Sequence, residues 1–124
     1  MRPSCTEHQP VDMPISIKAR DLQQRLAAGE AIQLVDVRES EELELARLPL
    51  PVIHLPLSRS QEWLGDLPAR LQRDVPVAVL CHAGVRSWQF GCWLIQEHGY
   101  DAVWNLVGGI DAWSTQVDPA VPRY

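Results

Sequence analysis

Cys81 opens the run Cys81-His82-Ala83-Gly84-Val85-Arg86-Ser87, directly after the apolar stretch 75–80 and directly before a helix-like segment. A cysteine in that place sits on a strand-to-helix turn. The amides of the following loop and the free N–H groups of the helix start face it, and such a site favours negative charge. The reactive form of cysteine is the thiolate, and a free pKa of about 8.5 needs only a modest depression to make it abundant near neutrality. A cysteine after a buried strand is often no more than a small core hydrophobe. Here the polar His82 and Arg86, the tight backbone that Gly84 permits and the helix-capping hydroxyl of Ser87 argue for chemistry instead. The run points to an enzyme or sulfur carrier working through Cys81.

The elements that must position this loop are legible on either side of it. Residues 1–14 carry Pro3, Pro10 and Pro14 among polar residues and read as a loosely ordered lead-in; a single domain follows over 15–124. Ile15-Ser16-Ile17 reads as a short strand. Ala19, Leu22 and Leu26 then share one helical face, with Gly29 placed to stop the helix. Residues 31–37 are a second strand, and Ser40 caps a short acidic helix after it. Residues 52–55, held between Pro51 and Pro56, allow only a short strand, and 58–71 suggests one or two short helices broken near Gly65 and Pro68.

Residues 75–80 form the most continuous apolar run and read as a central strand covered on both faces. The segment 87–98, ending at Gly99, is apolar nearly all round and predicts a buried helix that includes Cys92 as core packing. A last strand over 102–106, a Gly108-Gly109 turn and a final helix from Ile110 complete an alternating pattern. Such alternation implies an α/β layer architecture with a mainly parallel sheet. In such sheets sites form outside the carboxyl ends of the strands, which is where Cys81 falls.

At 124 residues, 46% hydrophobic and 22% charged, the chain fits one ordinary globular domain, and no stretch approaches the length needed to span a bilayer. The N-terminus lacks the apolar run of a secretory signal, which leads to an expectation of a cytoplasmic protein. Three cysteines without regular spacing fit a reducing compartment with free thiols, and Cys5, in the lead-in, is assigned no role. A formal net charge of −5 with Lys18 as the sole lysine argues against nucleic acid or anionic membrane as a partner. The five tryptophans have no spacing that would make a base-stacking platform.

Three segments together resemble the rhodanese family of sulfurtransferases: Leu34-Val35-Asp36-Val37-Arg38-Glu39, the Cys81–Ser87 run itself, and Asn105-Leu106-Val107-Gly108-Gly109-Ile110-Asp111-Ala112-Trp113. The resemblance covers the chain from about Ile15 to Tyr124. It implies a rhodanese-like three-layer sandwich with a mainly parallel five-stranded sheet flanked by helices. It also implies an activity, thiosulfate sulfurtransferase: Cys81 takes sulfane sulfur from a donor such as thiosulfate, becomes a persulfide, and passes the sulfur to cyanide or a thiol. No metal or organic cofactor is required for this. His82, Ala83, Gly84, Val85, Arg86 and Ser87 become the anion-holding loop, with Ala83, Gly84 and Val85 acting through backbone N–H groups. Arg86 either attracts the anionic donor or holds the loop through a carboxylate. His82 binds a donor oxygen or simply faces solvent. Asp36 and Arg38 are second-layer candidates for which structural ion pairing is the better reading.

One segment departs from the family pattern. Ala46-Arg47 stands where many members have Gly-His, and the stretch 44–51 is a residue longer, which leaves the turn before the third strand undetermined. Residues 112–124 look like the ending of rhodanese modules fused to adenylyltransferases that thiolate carrier proteins, so a persulfide carrier donating in trans to a protein acceptor is an open alternative. A non-catalytic interaction module is another, against which the presence of Cys81 counts. Phosphatase or arsenate reductase chemistry is disfavoured, because only four residues separate Cys81 from Arg86 where those loops have five.

Overall fold

Short runs of branched and aliphatic residues, each too short for a helix, become strands because a pleated surface covered on both sides suits them. The computed structural model describes residues 13–124, so Cys5, Pro3, Pro10 and nearly all of the expected lead-in lie outside the described residues. The strands are β1 (Ile15–Ile17), β2 (Gln33–Asp36), β3 (Ile53–His54), β4 (Val77–Leu80) and β5 (Val103–Leu106). They form one sheet in the order β1-β5-β4-β2-β3, and every pairing is parallel. β4, the most apolar run in the sequence, takes the centre with all its residues buried.

Helices α1 (Ala19–Ala27), α2 (Ser40–Leu45), α3 (Leu67–Arg70), α4 (Val85–His98) and α5 (Gly109–Gln116) connect the strands, and two 3₁₀ turns, Leu57–Glu62 and Leu64–Asp66, precede α3. The pleat sends alternate residues to opposite faces. Val35, Val77 and Val79 meet Trp63, Leu67, Leu71, Phe90 and Leu94 on one face. Leu34, Ala78, Leu80 and Leu106 meet Leu22, Ile110 and Trp113 on the other. The result is the three-layer sandwich expected from the sequence.

Close packing on the α4 face depends on a small residue. A Cβ on Gly91 would stand 2.7 Å from Pro14 Cγ and 3.2 Å from Val103 Cγ1, so the missing side chain lets α4 lie down on β5. Trp63 then packs edge-on against Phe90, 5.9 Å between ring centroids, while its Nε1 donates to the carbonyl of Pro56 at 3.0 Å. α4 ends as expected at Gly99, whose φ of +73° is the left-handed conformation of a helix stop. Cys92 is fully buried in α4 among the core residues, and Cys81 is a free cysteine among the described residues. No helix among the described residues is long and apolar enough to cross a membrane.

One local expectation is corrected and one open turn is defined. The cap of α2 is Glu39 rather than Ser40: the Glu39 side chain accepts from the amide of Glu42, and the Glu42 carboxylate accepts from the amide of Glu39 at 3.1 Å. Reciprocal capping satisfies two orphan donors where a lone hydroxyl would satisfy one. The turn left open by the sequence, 44–51, leaves α2 in an extended conformation at Ala46, buries Ala46 and Leu48 and exposes Arg47.

Arg38 fastens that turn to the sheet. It is fully buried and forks onto Asp36, with Nε 3.0 Å from Oδ1 and Nη2 2.8 Å from Oδ2. Its remaining donors reach the carbonyls of Ala46 at 2.9 Å and Glu42 at 3.3 Å. Asp36 and Arg38 thus pair with each other inside the fold. Breaking such a pair strands a charge in the interior. Arg38→Met is expected to lower the unfolding free energy by about 3–5 kcal/mol in urea titration, and adding Asp36→Leu to it should recover much of that loss because no buried charge then lacks a partner.

Candidate active site

The carboxyl end of β4 delivers Cys81 to the first turn of α4, and the geometry there is set by which atom caps that helix. Gly84 is the N-cap residue, with φ +106°, and has no side chain to offer. The acceptor is the sulfur of Cys81, which takes the amide of Gly84 at 3.1 Å and that of Ser87, in the first turn, at 3.4 Å. The expectation that Ser87 caps the helix is thereby corrected. α4 begins at Val85, so Ser87 already lies inside the first turn and its amide needs a partner.

The Ser87 hydroxyl has another use. Its Oγ lies 3.3 Å from the Cys81 sulfur and donates to Asn105 Oδ1 at 2.5 Å. The Asn105 amide is oriented in turn by donating Nδ2 to the carbonyl of Gly84 at 3.1 Å. One hydroxyl has one proton. With a thiol, that proton stays directed at Asn105 Oδ1 and the S–H can donate to Oγ; with a thiolate, the hydroxyl can turn its proton to sulfur.

A second helix start holds the loop from beneath. The amide of Ile110 donates to the carbonyl of Cys81 at 2.9 Å and that of Asp111 to the carbonyl of His82 at 3.3 Å, so the free N–H groups of α5 grip the loop backbone. This docking needs Gly109, since a Cβ there would fall inside the carbonyl oxygens of Cys81 and His82.

Electrostatics follow from this frame. Burial alone would raise the Cys81 pKa, but the Ser87 hydroxyl and the amides of Ser87, Gly84 and Ala83 together outweigh it and hold the thiol below its ordinary value. The residue is only 1% exposed, so the sulfur lies at the floor of its loop. Ala83 and Val85 are at the rim, Val85 being 67% exposed.

Arg86 adopts one of the two roles left open. Its guanidinium forks onto Glu42 of α2, Nη1 to Oε1 at 2.6 Å and Nη2 to Oε2 at 2.8 Å. It thus ties the loop to α2 through a carboxylate. The Arg86 guanidinium lowers the Glu42 pKa to about 2 against the opposing effect of burial. The stability this pair contributes is present above the ordinary carboxylate range and is lost as pH falls towards that value. His82 stacks on Tyr124, 4.2 Å between centroids and 16° between planes.

Glu42, Asn105 and Tyr124 were not singled out as functional from sequence. The one available signal for Glu42 was an arginine at a helix start in need of a carboxylate and an acidic first turn elsewhere. Asp36 and Arg38 are engaged with each other rather than with the sulfur; they are linked to the loop through Tyr124, whose hydroxyl accepts from Arg38 Nη1 at 3.1 Å. Among the described residues no cluster of His, Cys, Asp or Glu is placed to hold a metal ion.

Comparison with known proteins places this geometry in context. Residues 18–116 match the family described as Rhodanese-like domain. The chain is 38% identical over 96% of its length to the Rhodanese-like/PpiC domain-containing protein 12, chloroplastic, of Arabidopsis thaliana, and 32% identical over 87% to the adenylyltransferase and sulfurtransferase MOCS3-1 of Zea mays. It spans 39% and 23% of those two proteins. A sulfurtransferase of Allochromatium vinosum is 35% identical, with 85% of this chain and 92% of that protein aligned. Among solved structures, a rhodanese-related protein from Thermoplasma volcanium is similar with a TM-score of 0.65 and 28% identity, covering 89% of this chain and 99% of that one.

The dependence of the loop on Gly109 can be measured directly. Gly109→Ala forces a methyl group into two carbonyl oxygens at a φ of +61°, and the left-handed backbone alone costs about 1–2 kcal/mol for a residue with a Cβ. We expect a lower urea midpoint together with slower iodoacetamide alkylation of Cys81 at neutral pH.

Proposed function

This chain belongs to the rhodanese-like domain family, and we propose that it is a sulfurtransferase in which Cys81 carries sulfane sulfur as a persulfide. The observation that supports this best is the sulfur's place as the acceptor at the start of α4, where two amides and a hydroxyl converge on it. That environment stabilises the thiolate that the first step requires.

The first step is attack of the Cys81 thiolate on the outer sulfur of a donor such as thiosulfate. An Sγ–S bond forms, the bond from the outer sulfur to the sulfonyl sulfur breaks, and its electron pair leaves on sulfite. In the second step an acceptor, a thiolate or cyanide, attacks the terminal sulfur. The Sγ–S bond breaks and its electrons return to Cys81. Neither step needs a proton, a redox partner or a cofactor.

The near-complete burial of Cys81 supports a division of labour between the two steps. A persulfide places its terminal sulfur about 2 Å beyond Sγ, so the atom to be transferred stands nearer the rim formed by Ala83 and Val85. An acceptor must then be slim, such as a small anion or the extended end of a protein. A protein acceptor is the partner we infer, and a relative whose name joins adenylyltransferase to sulfurtransferase supports that reading.

The engagement of Arg86 weighs against phosphoryl transfer. A phosphate-binding loop needs its arginine free to cradle the equatorial oxygens, whereas both terminal nitrogens of Arg86 already hold Glu42.

Two measurements test the proposal. Intact-mass analysis of the protein after thiosulfate treatment should show one added sulfur, removable by cyanide and absent from Cys81→Ala; no added sulfur on the wild type would overturn the sulfurtransferase reading. The second is the pH dependence of Cys81 alkylation. Because the thiol is held below its ordinary value, reactivity should persist below pH ~8.5, where a free cysteine loses it, and fall only as pH drops through the depressed value. Ser87→Ala should move that curve back up.

A further inference from the structure

The four residues after α5 and its turn return to the Cys81 loop and are held there at three points. Val121 is buried, and its carbonyl accepts from the Ser114 hydroxyl at 2.5 Å. Arg123 forks onto Asp111 at 2.8 and 3.1 Å. Tyr124 then reaches three segments that are remote in sequence. Its hydroxyl accepts from Arg38 Nη1 at 3.1 Å and donates to Glu42 Oε2 at 2.7 Å. Its ring covers His82 at 4.2 Å and lies 5.8 Å from the Arg38 guanidinium.

The consequence is a continuous chain of charge-assisted contacts. It begins at Asp36 and runs through Arg38, the Tyr124 hydroxyl and Glu42 to Arg86, the loop's own cation. Every member except Tyr124 is a charged group that must be paired. Tyr124 is the neutral link, and its hydroxyl both accepts and donates, so it joins a buried cation to a carboxylate that would otherwise have only Arg86 and the Glu39 amide as partners. The fixed end of this chain is the fully buried Asp36–Arg38 pair. The adjustable end is Arg86, whose side chain is 36% exposed.

We propose that Tyr124 is a positioning residue for the Cys81 loop: its hydroxyl anchors the Glu42–Arg86 pair to the buried Asp36–Arg38 pair, and its ring fixes His82 beside the nucleophile. Tyr124 touches no reacting atom. It acts by holding in place the charge of Arg86, the residue directly before Ser87, whose amide donates to the Cys81 sulfur. The charged groups that bear on this arrangement are Arg38 from the β2 end, Glu42 from α2, His82 and Arg86 from the loop and α4, and Asp111 with Arg123 from α5 and the segment after it. The inference rests on the sulfur-transfer reading for its functional meaning.

The test separates the two. Tyr124→Phe keeps the stack on His82 and removes both hydroxyl contacts; Tyr124→Ala removes the stack as well. Site-resolved alkylation of Cys81 by iodoacetamide, followed across pH by peptide mass analysis, reports the thiol without assuming any sulfur chemistry. We expect the midpoint of that profile to rise in Tyr124→Phe, so that alkylation near neutrality falls roughly three- to tenfold, with a larger fall in Tyr124→Ala. The rate on the high-pH plateau should stay within about twofold of wild type. Persulfide formation from thiosulfate should fall by the same factor as alkylation. An unshifted pH profile in Tyr124→Phe overturns the proposal, whatever happens to the melting temperature, because a merely structural anchor would lower stability without moving the thiol. Should Tyr124→Ala not fold, the phenylalanine variant decides alone. A wild type that alkylates as expected but takes no sulfur would sink the sulfurtransferase reading and leave the positioning role standing.

Discussion

A sulfur atom occupies the place where a helix normally receives a serine or aspartate oxygen. The first amides of α4 have no intrahelical acceptor, and Gly84 brings no side chain, so Cys81 closes the turn through Sγ. Two requirements are met by one contact. The helix gains its cap, and the cap gains from carrying negative charge, because the amides and the positive end of the helix all favour an anion there. Structure and reactivity of the loop are therefore the same interaction viewed from either end.

That contact can exist only if the loop backbone is held still, and the parallel sheet supplies the means. With β4 central and every strand parallel, the starts of α4 and α5 both open at the carboxyl edge of the sheet, one beside the sulfur and one beneath the carbonyls of Cys81 and His82. Glycines stand at the approaches. Gly84 takes a left-handed turn that a Cβ would strain, and Gly109 lets α5 come within hydrogen-bonding distance of the loop.

Charge is used to fasten segments together more than to meet a ligand. Arg38 binds the end of β2 to the turn after α2, and Arg86 binds the loop to the first turn of α2. Helix α2 is short, and one of its capping glutamates doubles as the anchor for both arginines: the Glu42 carboxylate receives Arg86, and its carbonyl receives Arg38. An arginine so engaged contributes a fixed positive field at the loop and offers few free donors. This favours chemistry on a compact sulfur nucleophile over chemistry that must clamp a tetrahedral oxyanion.

Much of this protein was legible from residue order alone. Apolar runs bounded by prolines and glycines marked all five strands, and their alternation with helical segments implied the layered, parallel arrangement, because connections of that length return a chain to the same edge of a sheet. The Cys81 run likewise placed a sulfur among backbone donors, since a cysteine between a buried strand and a helix start meets unsatisfied amides by local geometry. Other features needed the fold. The cap of α2 at Glu39 and the pairing of Arg86 with Glu42, 44 residues away, depend on contacts whose spacing carries no pattern. Tyr124 is the clearest case: 86 residues from Arg38 and 82 from Glu42, it is joined to both. Local sequence determined that a sulfur would stand at a helix start, because the backbone donors around it are neighbours in the chain. Only the tertiary structure decided which distant charges surround that sulfur, because side chains far apart in sequence are brought together by packing alone.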